Sequence, residues 1–149
     1  MSHAWHLLDV NLVIALTEKG HGGYRTAWNW FETPELMWGL CAFSEVGYLR
    51  ITSNPRVGGY SIAEAEKVLA VLKKRPGYRY LPITADWAEL VAPFRDRVWG
   101  HQQVTDAYLL GLAIKENCVL ATMDRAIQHM AGPKYSKHVL VLNESTVRE

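Results

Sequence analysis

The chain has 149 residues, 16 basic and 15 acidic side chains, 49% hydrophobic residues and a net charge of +1. That length suits one domain able to build its own core, and the composition excludes a disordered chain, a collagen-like fibre or a low-complexity segment. The longest apolar run, residues 36–43, falls far short of the ~18 residues of a membrane span, and the N-terminus lacks the basic and apolar regions of a secretory signal, so the expectation is a soluble, cytoplasmic protein with no membrane contact.

Short apolar runs alternate with helical stretches along the whole chain. Residues 5–8 read as a first strand, and 11–19 as a helix stopped by Gly20-His21-Gly22-Gly23. A second helix is expected over 24–32, ended ahead of Pro34. A second strand covers 37–42 and a helix 43–51, closed by Ser53-Asn54-Pro55. Ser61-Ile62-Ala63-Glu64 is a capping box, so a helix runs from there to about residue 75, ended by Pro76-Gly77. Residues 78–83 read as a third strand, at an edge because of Pro82. Residues 86–97 are expected to be helical with a kink at Pro93, and 105–116 form the most apolar helix. A fourth strand over 118–122, a short helix over 124–130 and a fifth strand over 139–142 complete the pattern.

Strands that are apolar on both faces, separated by helices, point to a single α/β domain over residues 1–149. Its central sheet is expected to be mostly parallel and covered by helices on both faces. Ligands of such sheets bind outside the carboxyl ends of the strands. Cys41 and Cys118 each lie in an apolar run and read as buried reduced thiols, not as a disulfide framework or zinc site.

The small net charge conceals a polarised distribution. Residues 1–49 carry 2 basic and 5 acidic groups, and residues 50–79 carry 7 basic and 2 acidic. The basic middle segment is compatible with a polyanionic partner and equally with an ordinary solvated helix face.

Four acids are expected at one edge of the sheet. Asp9 follows the first strand and Asp124 the fourth; Glu45 opens the helix after the second strand, and Asp106 opens the most apolar helix. Singly, each has a structural explanation: Asp9 and Asp124 as helix N-caps, Glu45 and Asp106 as first-turn acids that complement a helix dipole. Together they repel, which raises their pKa values or recruits a cation. Hard divalent ions such as Mg²⁺ or Mn²⁺ suit carboxylates and water, and they drive phosphodiester hydrolysis by acidifying water and stabilising the leaving oxygen.

The sequence resembles the PIN-domain ribonucleases, in particular the VapC-type toxins of bacterial toxin–antitoxin pairs. The resemblance rests on Leu7-Leu8-Asp9-Val10-Asn11, Ser44-Glu45 with Gly47-Tyr48-Leu49-Arg50, Val104-Thr105-Asp106-Ala107-Tyr108 and Ala121-Thr122-Met123-Asp124-Arg125. It implies a PIN-like α/β fold and a metal-dependent endoribonuclease acting on structured RNA such as tRNA or rRNA. Asp9, Glu45, Asp106 and Asp124 would then be the catalytic and metal-binding acids around Mg²⁺ or Mn²⁺, with Asn11 and Thr122 orienting ligands or water. It also implies a homodimer and inhibition by a cognate VapB-type antitoxin.

Other residues are open to either reading. His101 reads as a loop histidine at the rim, and Arg50, Arg56 and Arg125 as surface arginines within possible reach of phosphate. Trp28 and Phe31, spaced i, i+3, suit either a core or a dimer or antitoxin groove. Three other functions fit acids at strand ends. A haloacid-dehalogenase-like phosphatase wants an acid where Asn11 stands. A response-regulator-like domain wants a lysine after the last strand, where Val141-Leu142-Asn143-Glu144 has none. A non-catalytic RNA-binding protein on the same fold would normally have lost one of the four acids.

Overall fold

A computed structural model describes residues 4–143. Strands β1 (Trp5–Leu8), β2 (Met37–Gly39), β3 (Val119–Thr122) and β4 (Val139–Val141) form one sheet in the order β2-β1-β3-β4, with every pair parallel. From β1 the chain moves outward to β2, then returns past β1 to β3 and continues to β4. The order therefore reverses between β1 and β3, which makes their carboxyl ends the crevice where an α/β sheet binds ligands.

Successive side chains of a strand face opposite sides, and here each side has its own core. Leu7 and Leu120 face α5 (Trp87–Val91), α6 (Val104–Lys115) and α7 (Arg125–Tyr135). Leu8 and Ala121 face α1 (Val10–Thr17), α2 (Tyr24–Phe31), α3 (Ala42–Thr52) and α4 (Ile62–Leu72). Leu7, Leu8, Leu110 and Leu120 have no exposed surface, and truncating such a side chain to alanine costs about 2–5 kcal/mol. Among the described residues no helix is long and apolar enough to cross a membrane.

Local chemistry sets the helix ends. Asp9 caps α1, so the helix starts at Val10, one residue before the expected start. Ser61 and Glu64 exchange both bonds of the expected capping box at α4. α1 and α3 cross closely because residue 47 is glycine: a Cβ there would lie 2.6 Å from Val10 Cγ2.

Four expectations are corrected. Residues 78–83 are not a strand of the sheet. Tyr78 makes an isolated parallel bridge to Trp38, and the segment follows β2 through Arg79 N–H to Trp38 O at 3.0 Å and Leu81 N–H to Leu40 O at 2.9 Å. β2 ends at Gly39 and the chain turns into α3 at Ala42, which leaves the segment little strand to pair with. Residues 86–97 are not one kinked helix: α5 ends at Val91 and a 3₁₀ turn, Ala92–Arg97, takes over where Pro93 interrupts the bonding. The helix at 124–130 runs on to Tyr135, broken at Gly132 with φ +66° ahead of Pro133. β2 also stops at Gly39, three residues short of the expected strand, because α3 begins at Ala42.

Phe31 is buried in the core and Trp28, half-buried, packs against it. The Trp28 Nε1–H donates to Leu16 O at 2.7 Å, and the Arg75 guanidinium covers the Trp28 ring at 4.8 Å. Cys41 and Cys118 are free and buried.

Candidate active site

Asp9 leaves β1 with its backbone still in the sheet, its N–H donating to Ala121 O at 3.0 Å. The residue is 3% exposed. One oxygen, Oδ1, accepts from Val10 N–H at 2.7 Å, and Oδ2 accepts from the Thr122 hydroxyl at 2.7 Å. Thr122 is the last residue of β3 and is fully buried. Its Oγ1 also accepts from the Asp124 N–H at 3.0 Å. A hydroxyl carries one proton, and here that proton is committed to Asp9. One threonine thus orients the first acid and anchors the backbone of the last.

Asp124 caps α7, accepting from Ala126 N–H at 2.9 Å, and is half-buried. Asp106 lies in the first turn of α6, also half-buried. Burial, followed by the charges of Asp9 and Asp124, pushes the Asp106 carboxyl up to about 7. Burial also raises Asp9, against the bonds from Thr122 and Val10, and the Asp124 charge adds to the rise. These acids lie at the ends of β1 and β3 and in α6, and the Asp124 charge bears on both Asp9 and Asp106. The structural explanations for Asp9 and Asp124 as caps are realised, and of the four acids Asp9, Asp106 and Asp124 lie within reach of one another's charge.

A cleft of ≈ 350 Å³ opens beside them, lined among others by Asp9, Asn11, Phe43, Arg50, Thr105 and Asp106. Asn11 and Arg50 stand exposed on its walls. A larger hollow of ≈ 550 Å³ lies at the opposite edge of the sheet, where Trp5, Arg79, Glu116 and His138 surround the strand starts. Glu116 is the one acid in its lining.

Glu45 stands apart from this trio. It is in the first turn of α3, but its carboxylate is ion-paired with Lys73, just past the end of α4. Its charge, after burial, helps hold the Tyr78 hydroxyl up at about 12. Among the described residues no three His, Cys, Asp or Glu side chains are closed into a ready-made ligand shell. The donor set nevertheless fits a hard divalent ion. Asp9, Asp106 and Asp124 offer oxygens only, repel one another, and share the switch-point crevice.

Two positioning groups escaped the sequence reading. Ser44 is fully buried and donates to Leu8 O at 2.8 Å, fixing the start of α3 against the end of β1. Its only sequence signal was its place beside Glu45. Lys73 looked like one more lysine of the basic segment. Several of that segment's cations are engaged within the fold: Lys73 with Glu45, Arg75 over Trp28, and Arg79 over Trp5 at 4.9 Å.

The PIN domain family matches residues 6–133. Ribonuclease VapC38 of Mycobacterium tuberculosis is 36% identical over 128 residues, covering 84% of this chain and 89% of the relative. The chain belongs to the PIN-domain VapC ribonucleases. Two solved structures share its fold. VapBC2 from Rickettsia felis, bound to a DNA fragment from its promoter, has a TM-score of 0.68 at 13% identity, covering 93% of this chain and 98% of that one. VapC20 of M. tuberculosis, a sarcin-ricin-loop-cleaving toxin, has a TM-score of 0.61 at 18% identity, covering 85% and 95%. The PIN-like, parallel-sheet expectation is borne out, and the phosphatase, response-regulator and non-catalytic readings are not favoured. Ribonucleases of this family depend on a divalent metal.

Proposed function

We propose that this VapC ribonuclease is the toxin of a toxin–antitoxin pair, a Mg²⁺- or Mn²⁺-dependent endoribonuclease forming one nuclease domain over residues 1–149. Its catalytic and metal-binding acids are Asp9, Glu45, Asp106 and Asp124. The observation that carries the assignment is the gathering of Asp9, Asp106 and Asp124, from three different elements, at the crevice between β1 and β3. A divalent cation held there supplies an acidified water and charge stabilisation for in-line attack on an RNA phosphodiester. Thr122 fixes the Asp9 carboxylate, and Asn11 stands on the cleft wall where it can orient water or ligand. Arg50 offers a phosphate contact from the same wall. Glu45 joins the set once its carboxylate turns from Lys73.

The substrate is structured RNA, tRNA or rRNA; the fold neighbour VapC20 is a toxin that cleaves the sarcin-ricin loop. The partners are a cognate VapB-type antitoxin and a second copy of the chain. The first is supported by the VapBC complex with the same fold. Its place of action is the cytoplasm, where those RNAs are.

The test is incubation of the purified protein, freed of any copurifying partner, with total cellular RNA. Discrete fragments are expected with Mg²⁺ or Mn²⁺, and none with EDTA or with Asp9→Asn in Mn²⁺. Cleavage that survives EDTA, or full activity of the variant, would remove the acidic site from the mechanism.

A further inference from the structure

One large side chain, on the loop that leads into α6, has its faces open to solvent. Trp99 is 84% exposed, the most open of the large hydrophobic residues described. Its indole is not loose. The Nε1–H donates to Asp96 O at 3.0 Å, and its backbone N–H donates to Gln103 Oε1 at 2.8 Å. Gln103 is the residue before α6, and its N–H returns to Gly100 O at 3.0 Å. Trp87 Nε1–H holds the next residue through Val104 O at 3.0 Å, and Arg97 ties the preceding turn to Ala131 O of α7 at 3.2 Å. The loop is therefore braced against the N-terminal end of α6, whose first turn presents Thr105 and Asp106 to the cleft.

We infer that Trp99 is a stacking platform for an unpaired base of the RNA, adjacent to the phosphodiester held at the cleft. This inference rests on the RNA-cleaving reading above. The ring's only polar atom is spent on the main chain, so it can recognise a ligand through its faces alone. Every base has a face that stacks on an aromatic ring, which makes such a contact tolerant of sequence. A ring already held in one orientation loses little freedom on binding. A base stacked between its own neighbours in a duplex is not available to it, so Trp99 selects unpaired loops over paired stems. It is a substrate-positioning residue, separate from the acids.

The experiment measures binding in EDTA by fluorescence anisotropy, with a fluorescein-labelled RNA hairpin carrying an unpaired loop and a fully paired RNA of equal length. Trp99→Ala is expected to weaken hairpin binding about 5- to 100-fold and to leave duplex binding unchanged. Trp99→Phe should recover most of the affinity, and Trp99→Leu, apolar but unable to stack, should not. In Mg²⁺ the alanine variant should show a raised KM with an unaltered kcat. Equal hairpin affinity in all variants overturns the proposal, as does an equal loss on duplex RNA. A change of oligomeric mass by light scattering in Trp99→Ala, with RNA affinity retained, overturns it in favour of a protein contact. If the wild type neither binds nor cuts RNA, the functional reading falls and takes this one with it. If the wild type cuts and the alanine variant cuts with the same KM, only the role of Trp99 falls.

Discussion

Asp106 and Glu45 occupy matching places in the fold and opposite electrostatic situations. Each lies in the first turn of a helix, and each is partly buried. The helix end offers either of them only a modest stabilisation. Glu45 meets a lysine from a neighbouring element, and its charge is balanced within the chain. Asp106 meets Asp9 and Asp124, and its carboxyl rises to about 7. The difference shows where the protein lacks a positive charge of its own. Acidic residues at helix starts are common; acids left facing one another at a crevice have a use for an added cation.

The largest effect expected from this contrast is on Asp106. Asp106→Asn should lower RNA cleavage by more than the ~10–100-fold typical of losing an outer partner of a metal ligand. Its effect on the metal-free fold has the opposite sign. Asp106 has a folded pKa near 7 against an ordinary value near 4, so between those limits the native state holds a proton that the unfolded chain releases. Stability of the metal-free wild type should therefore fall as pH rises from about 4 to about 7, with the loss complete above that. Asp106→Asn should lack that decline and melt higher than the wild type at pH 8. Melting curves in EDTA across this range check it; identical slopes in both proteins would break the contrast.

Thr122→Val comes next. It keeps the shape of the side chain, removes the proton given to Asp9 and removes the acceptor for the Asp124 N–H. Metal affinity and cleavage should fall about 10–100-fold, as for other partners that orient a ligand. Losing bonds at a buried site should also cost about 1–3 kcal/mol of stability. Thr122→Ser should retain most of both. A Mn²⁺ titration and a denaturant melt separate the two effects.

Asp9 and Asp124 were legible because each follows closely on an apolar strand run. Leu7-Leu8-Asp9 and Ala121-Thr122-Met123-Asp124 mark the carboxyl ends of β1 and β3, and a parallel sheet puts those ends together. The extended segment at 78–83 was misread because its apolar pattern is that of a strand, and only tertiary context shows that it touches β2 at one bridge. The extension of α7 past Met130 was missed because Gly132 and Pro133 look like a stop, while the chain resumes helical geometry beyond them. The Lys73 partner of Glu45 lies 28 residues away, and no local pattern announces such a pair. Trp99 reads in sequence like any tryptophan; its exposure is a property of the loop that carries it.

That distant pair supplies the smallest and most discriminating of the expected effects. Lys73 and Glu45 are 33% and 23% exposed, so the pair is partly screened and contributes about 0–1 kcal/mol. Lys73→Met should therefore move the melting temperature little. It should act on metal binding if Glu45 is a ligand, because the lysine competes with the cation for the same carboxylate. Removing a competitor of that strength should tighten Mn²⁺ binding by up to about 5-fold. Glu45→Gln should then weaken binding and cancel the gain when the two substitutions are combined. If Lys73→Met leaves Mn²⁺ affinity and cleavage unchanged while Asp9→Asn abolishes both, the ligand set contracts to Asp9, Asp106 and Asp124, and the Glu45–Lys73 pair becomes a brace between α3 and α4.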